Sequence, residues 1–193
     1  MTALYLRARA DRKTVAHHWY RTPRIFDRYI YVTGGFNGQV YLNSVELYDT
    51  TCDRWTEVEP MNTKRAYSSP VLFGNNIYIL GGFDGAETLS SCEVYNTQTK
   101  TWRAFSEMNT ARMNATSVVF LGNMMVFGGE CESAFLDTVE CYDVQNETWY
   151  FVQRLPQPMA GLRACVYQED RPSQTEKRSW KEETPRNTET ISS

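Results

Sequence analysis

Histidine is scarce in this sequence, although it is the side chain most often used as a general base and as a metal ligand. Its only two copies, His17 and His18, adjoin each other near the N-terminus. Acidic residues such as Asp84, Glu132 and Asp137 follow predicted strands, but carboxylates in loops are usually solvated surface groups. We therefore do not expect an enzyme, and we expect neither a catalytic residue, a metal nor another cofactor.

Long apolar segments and paired cysteine motifs are also lacking. No run approaches the roughly 20 residues of a membrane-spanning helix, and the apolar stretch 3–6 is too short for the core of a signal peptide. The five cysteines are an odd number without C-x-x-C spacing, which favours free buried thiols over a disulfide framework or a zinc site. These absences predict a cytoplasmic chain without a membrane partner.

The body of the chain has no excess of basic residues. Residues 18–163 contain 11 Lys and Arg against 16 Asp and Glu, a net charge of −5, whereas residues 1–17 carry 4 against 1. Proteins that bind the phosphate backbone need a basic face. Nucleic acid is therefore not expected as a partner.

What the sequence does contain is one unit repeated three times with a period of 47 residues. Each copy has a glycine pair, a glutamate, a tyrosine and a tryptophan at constant intervals. These are the pairs beginning at Gly34, Gly81 and Gly128, then Glu46, Glu93 and Glu140, Tyr48, Tyr95 and Tyr142, and Trp55, Trp102 and Trp149. A fixed period of about 20 to 50 residues indicates stacked repeats, because one unit cannot bury its apolar face alone.

The patterning within each unit predicts four short strands. The first strand is expected at 20–26, 67–73 and 114–120, and the second, a continuous apolar run, at 30–33, 77–80 and 124–127. The third alternates with period two at 44–48, 91–95 and 138–142, and the fourth surrounds each tryptophan at 54–58, 101–105 and 148–152. Turn-forming hexapeptides precede each tryptophan. Four antiparallel strands per unit make a propeller blade, so we predict an all-β protein.

Together these residues resemble the kelch repeat: Gly-Gly, then Glu-x-Tyr, a Trp seven residues after the Tyr, and Met-x-x-x-Arg at 61–65, 108–112 and 159–163. The residue sequences of the segments 82–85 and 93–96 are similar to those of the kelch-like (BTB-kelch) family. The resemblance predicts a partial kelch β-propeller over residues 18–167, with three four-stranded antiparallel blades and a fragment of a fourth. Residues 1–17 are expected to be a non-repeat segment, and 168–193 a disordered polar tail. Because Met159 follows Trp149 at a greater interval than Met61 follows Trp55, the third linker is predicted to be four residues longer than the first.

The resemblance also implies a function. Members of this family use a propeller of about six blades to recognise substrates for a cullin-RING ubiquitin ligase, and a BTB segment binds the cullin. Since no BTB or BACK segment stands before these repeats, we expect a truncated chain or fragment and no cullin binding. The alternatives are an actin- or cytoskeleton-associated kelch protein, or a non-functional partial propeller. Galactose-oxidase-like kelch enzymes need a copper site with histidine ligands, and the only histidines of this sequence, His17 and His18, lie at or before the edge of the repeats.

By the same resemblance, a protein partner would lie across the face that carries the loops after each second and fourth strand. These loops are 36–43, 83–90 and 130–137, and 60–65, 107–112 and 154–163. The candidate contacts are the residues after each glycine pair and the arginines of the Met-x-x-x-Arg motifs: Phe36, Phe83 and Glu130, with Arg65, Arg112 and Arg163. An alternative is left open, in which each arginine bridges two blades by pairing with a strand carboxylate such as Glu46 or Glu93.

Overall fold

The computed structural model describes residues 22–26 and 28–166, and within these ranges the regular structure is entirely β. No segment of this part of the chain forms a helix that is long and apolar enough to cross a membrane. The predicted non-repeat segment 1–17 and the predicted tail 168–193 lie outside the described residues.

Three antiparallel sheets of four strands each form three blades. The first blade contains β1 (Thr22–Phe26), β2 (Tyr29–Phe36), β3 (Tyr41–Asp49) and β4 (Arg54–Val58). The second contains β5 (Ser69–Phe73), β6 (Asn76–Leu80), β7 (Cys92–Asn96) and β8 (Thr101–Phe105). The third contains β9 (Thr116–Phe120), β10 (Asn123–Phe127), β13 (Thr138–Asp143) and β14 (Thr148–Arg154). The prediction of three four-stranded blades is therefore confirmed.

Two departures from the predicted strands lie at the loop face. In the first blade, β2 continues through the glycine pair to Phe36 and pairs with Tyr41, after a register shift between Thr33 and Gly35. In the third blade, a small extra hairpin joins β11 (Glu130–Cys131) to β12 (Ala134–Phe135). The loops after the second strands are therefore ordered in different ways, although their positions in the repeat are the same.

The hairpin turns before each tryptophan form as their composition predicts. In the second blade the Asn96 side-chain oxygen accepts hydrogen bonds from the backbone N–H groups of Gln98 and Thr99, both at 2.9 Å. Lys100 then takes a left-handed conformation with φ 59°, which directs the chain into β8. An asparagine that bonds the backbone two and three residues ahead nucleates a tight turn. These turns fix the register of the two outer strands of the blade.

The core of the protein lies between blades, and the second strand of the middle blade, β6, is covered on both faces. Ile77, Ile79 and Tyr95 of the second blade pack against residues of the first, such as Tyr31 and Val45. The alternate residues Tyr78, Leu80 and Val94 pack against the third blade, including Met124 and Val126. This two-sided burial explains why the second strand is a continuous apolar run and not an alternating one.

All five cysteines are free thiols, but the expected burial holds for only part of them. Cys92 and Cys141 are buried in the third strands of their blades, Cys131 is half-buried, and Cys52 and Cys165 are exposed. The prediction of buried thiols is therefore wrong for the last two, which lie in a hairpin turn and in the segment after the third blade.

Candidate partner-binding face

Arg65 links the first interblade linker to the second blade. Its Nε donates to Glu93 Oε1 at 3.2 Å, Nη1 donates to the carbonyls of Gly81 and Ser91, and Nη2 donates to Ser91 Oγ at 3.0 Å. Glu93 also accepts the backbone N–H of Asn62 at 2.7 Å. The guanidinium is therefore held by the glycine pair and the third strand of the following blade, and the linker is fixed to both.

Arg112 repeats this arrangement one blade later. Its Nη2 donates to Glu140 Oε1 at 2.7 Å and to Thr138 Oγ1 at 2.9 Å, while Nη1 donates to the carbonyls of Gly128 and Thr138. Glu140 in turn accepts the backbone N–H of Asn109 at 2.7 Å. Both side chains of the pair are fully buried. Hydrogen bonds satisfy most donors and acceptors of this buried charge pair, as its burial requires, and only Nε of the Arg112 guanidinium has no hydrogen-bond partner.

The two arginines thus have the geometry of the bridging alternative. Arg65 and Arg112 are each 1% exposed, and each pairs with the glutamate of the blade that follows it, at the same interval along the sequence. Their guanidinium groups lie beneath the loop face and hold its linkers in place. A direct contact of either arginine with a partner stays a prediction.

The third linker follows a different register from the one predicted. The N–H groups of Gly35, Gly82 and Gly129 donate to the carbonyls of Arg65, Arg112 and Met159, respectively. Met159 is 47 residues after Arg112, so the period continues and the linker is not four residues longer; that prediction was wrong. A methionine therefore occupies the arginine position. Arg163 is exposed and donates to the neighbouring Leu162 carbonyl.

Aromatic side chains fill the cleft between the first two blades on the loop face. The ring of Tyr41 lies 4.8 Å from the ring of Phe36 and 5.3 Å from that of Phe83, measured between centroids. Gly85 allows this approach, since a Cβ there would stand 2.7 Å from the Tyr41 ring. The predicted contacts Phe36 and Phe83 are therefore brought together, but Tyr41, which sequence reasoning missed, joins them.

The corresponding cleft between the second and third blades is open. Here Thr88 stands where the repeat places Tyr41, and Glu132 stands where it places Gly85. A groove with a volume of about 710 Å³ lies at this junction. Phe83, Thr88 and Leu89 line it from the second blade, Ala111 and Met113 from the linker, and Glu132 from the third blade. A threonine therefore lines the groove at the position where the other junction has the large ring of Tyr41.

Glu130, the third residue predicted from its place after a glycine pair, lies beside the groove and connects its two walls. Its backbone N–H and C=O groups pair with Met113 at 2.9 and 3.0 Å. Its side chain accepts a hydrogen bond from Asn114 Nδ2 at 2.5 Å. Phe83 has the same backbone pairing with Ala66 at the preceding junction. The residue after each of these glycine pairs therefore fixes the linker beside it.

The chain is similar to known proteins in both sequence and fold. The family described as the KLHDC2/KLHL20/DRC7 Kelch-repeats domain matches residues 24–171. This chain belongs to the kelch-repeat family. Kelch-like protein 4 of Homo sapiens is 49% identical to it over 37 residues, which are 19% of this chain and 5% of that protein. The solved "Structure of YjhT" has a TM-score of 0.66 at 15% identity, covering 75% of this chain and 54% of that one, and shows the same fold. The chain thus spans only a part of either relative.

The groove of this kelch propeller carries acidic groups and one thiol. Partial burial, and then the neighbouring Glu132, raise the pKa of Cys131, so its thiol stays protonated at neutral pH. A protonated thiol is a poor nucleophile and a poor metal ligand. Backbone N–H groups of Glu87 and Ala86 lower the pKa of Asp84, so this carboxylate stays charged at the edge of the loop. Within residues 28–166 no three His, Cys, Asp or Glu side chains converge as a metal site requires.

Proposed function

We propose that this chain is a protein-interaction module that recognises substrates for a kelch-like adaptor of a cullin-RING ubiquitin ligase. The single observation that carries the proposal is the open groove between the second and third blades on the loop face. Membership of the kelch-repeat family supports binding of a protein, and the local similarity to Kelch-like protein 4 supports the adaptor role.

The contacts we assign differ in kind. Phe83 lines the groove, and Glu130 pairs with Met113 in its wall. Phe36 lies one junction away, where its ring packs against Tyr41. An aromatic anchor beside fixed polar groups is typical of interaction hot spots. Arg65 and Arg112 act on a partner through the linkers that they fix. Arg163 is proposed as a peripheral contact, because it is exposed after the third blade.

We propose binding without catalysis, and we place the chain in the cytoplasm. The protonated thiol of Cys131 supports the first point, since a covalent mechanism needs an activated nucleophile. The free thiols support the second, since exposed cysteines such as Cys52 and Cys165 persist unpaired in a reducing compartment.

Proximity labelling in cultured cells tests the proposal with a matched pair of variants. Thr88→Tyr places a ring in the groove, whereas Thr51→Tyr makes the same change in a turn at the other end of the first blade. We expect the wild type and Thr51→Tyr to label a common partner that Thr88→Tyr loses. An inhibitor of cullin activation should lengthen the lifetime of that partner.

The outcomes separate the alternatives. A partner that is equally labelled by Thr88→Tyr refutes the groove as the binding site. A partner whose lifetime ignores the inhibitor refutes the ubiquitin-ligase role. Co-sedimentation with actin filaments that is insensitive to Thr88→Tyr would replace the proposal by the cytoskeletal alternative.

A further inference from the structure

The groove between the second and third blades has a charge that its counterpart does not have. Three glutamates line it, Glu87, Glu107 and Glu132, and no lysine, arginine or histidine does. One repeat earlier, the same positions hold Val40, Pro60 and Gly85. The carboxylates are therefore a property of this junction and not of the kelch loop face in general.

The arginines near the groove do not neutralise these glutamates. Arg112 lies beneath the linker, where Glu140 accepts its hydrogen bond at 2.7 Å, and both are fully buried. Arg65 is paired with Glu93 in the same way. Each buried pair has a formal charge of zero, so the groove keeps the negative charge of its own lining.

The linker contributes to the same contrast. Ala111 lines the groove, whereas the lysine Lys64 holds the equivalent position at the first junction. Ser90 Oγ donates to Glu107 Oε2 at 3.2 Å, which leaves the other carboxylate oxygen to meet a ligand. The groove thus lacks the cation that its counterpart carries, and it keeps an exposed carboxylate on the linker side.

Apolar side chains share the lining of the groove with the carboxylates. Phe83, Leu89 and Met113 line the groove together with the glutamates. A ligand that matched only the charge, such as a polyamine, would leave these side chains without apolar contacts. A peptide with lysine or arginine beside a leucine-sized residue satisfies both kinds of wall.

From this combination of open volume, negative lining and apolar walls, we infer that the groove binds a cationic peptide segment of its protein partner. The segment has a lysine or arginine directed at Glu87, Glu107 and Glu132 and an adjacent apolar residue that packs on the half-buried Phe83 and Met113. The inference rests on the proposed function and specifies the chemistry of the partner.

Fluorescence anisotropy on the full chain tests the inference with three labelled peptides. The cationic probe is GLKARLG, and the matched probes carry glutamine or glutamate in place of both cations. We expect binding of the cationic probe alone, weakening when the salt is raised from 50 to 300 mM because exposed charges are then screened. Spermine serves as a competitor that has charge without apolar groups.

Two sets of glutamate-to-glutamine changes locate the charge. Replacing Glu87, Glu107 and Glu132 should lower the affinity for the cationic probe by about tenfold at 50 mM salt, because three exposed charge pairs of modest strength are lost. The control replaces Glu57, Glu59 and Glu147, which are exposed and lie outside the groove. This replacement removes the same net charge. It should change the affinity less than twofold.

Each result decides between the inference and the proposed function. Equal loss in both triple variants, or competition by spermine as strong as by unlabelled peptide, overturns the cationic-peptide assignment. If the chain instead binds the glutamine or glutamate probe more tightly, and Thr88→Tyr abolishes that binding, the cationic-peptide assignment is also overturned. The groove is then still the binding site. If none of the three probes binds but cellular labelling is still lost in Thr88→Tyr, the inference fails and the proposed function stands. If that labelling is also unchanged, both fail.

Discussion

Replacing Glu140 by glutamine should destabilise the protein strongly, although it changes only one charged oxygen into an amide. The carboxylate is fully buried and accepts hydrogen bonds from Arg112 Nη2 at 2.7 Å and from the backbone of Asn109 at 2.7 Å and Thr110 at 3.1 Å. Glutamine leaves the Arg112 cation buried with only neutral acceptors, the carbonyls of Gly128 and Thr138 and the Thr138 hydroxyl. An uncompensated buried charge of this kind costs about 3–5 kcal/mol.

That cost is a large part of the free energy of unfolding, which is about 5–15 kcal/mol for an ordinary domain. At roughly 3 °C per kcal/mol for a chain of this size, Glu140→Gln should lower the melting temperature by about 10–15 °C. Urea unfolding followed by tryptophan fluorescence measures the loss, because Trp149 is only 5% exposed and changes its environment on unfolding. The exposed Glu147→Gln is the matched control and should stay within about 0.5 kcal/mol of wild type.

Arg112→Met separates the two halves of the pair. Glu140 then keeps its N–H donors from Asn109 and Thr110, so the expected cost is smaller, about 1.5–3 kcal/mol. Methionine already stands at the same position of the next linker, as Met159. A loss below about 1 kcal/mol for Glu140→Gln, or a larger loss for Arg112→Met than for Glu140→Gln, would refute this account of the bridge.

Two further predictions concern backbone and thiol. Gly82→Ala should lower stability by about 2–3 kcal/mol in a thermal melt, because φ is +106° and the new Cβ would stand 2.7 Å from the Ala66 carbonyl oxygen. Gly74→Ala, with open space around it, should cost about 1 kcal/mol, and equal losses would contradict the steric argument. Burial raises the pKa of Cys92 from 9.0 to about 12, so the unfolded state binds fewer protons between these values and stability should fall as pH rises above 9. Urea unfolding at pH 8 to 10 measures how the free energy of unfolding falls with pH. The loss should steepen toward a limit of about 1.4 kcal/mol per pH unit, and Cys92→Ala should abolish it. A slope that Cys92→Ala leaves unchanged would assign the loss to other groups.

The strands were predictable because their signals are local. The alternation of Ser91, Glu93 and Tyr95 with Cys92 and Val94 defines a strand whatever surrounds it, and the structure places β7 at Cys92–Asn96. Two-sided burial of the second strand was also visible as an unbroken apolar run. Packing of blade on blade then follows from the constant period.

The role of the arginines could not be settled from local signals. Arg65 precedes Glu93 by the same interval as Arg112 precedes Glu140, but a constant interval does not show that the side chains meet. Whether a linker arginine turns inward or outward depends on a cavity between the glycine pair and the third strand, which only three-dimensional packing provides. Exposure of 1% shows that both turn inward.

The third linker shows how a motif can mislead when it conflicts with a period. The segment 159–163 has the residue types of the Met-x-x-x-Arg motif, but the period of 47 residues places Met159 at the arginine position. Backbone bonding follows the period, since Gly129 N–H donates to Met159. The groove was not predictable in the same way. The period aligns Thr88 with Tyr41, but residue types alone do not show how much open volume is left between the second and third blades.

The bridges run in one direction along the chain, and this imposes an order on synthesis. The linker wall of the groove, 107–113, is fixed by acceptors at Gly128, Thr138 and Glu140, all of which leave the ribosome later. A nascent chain that has reached only the end of the second blade holds Arg112 without its carboxylate. The site that we assign to partner recognition is therefore completed only when the third blade has been made, so an unfinished chain does not present it.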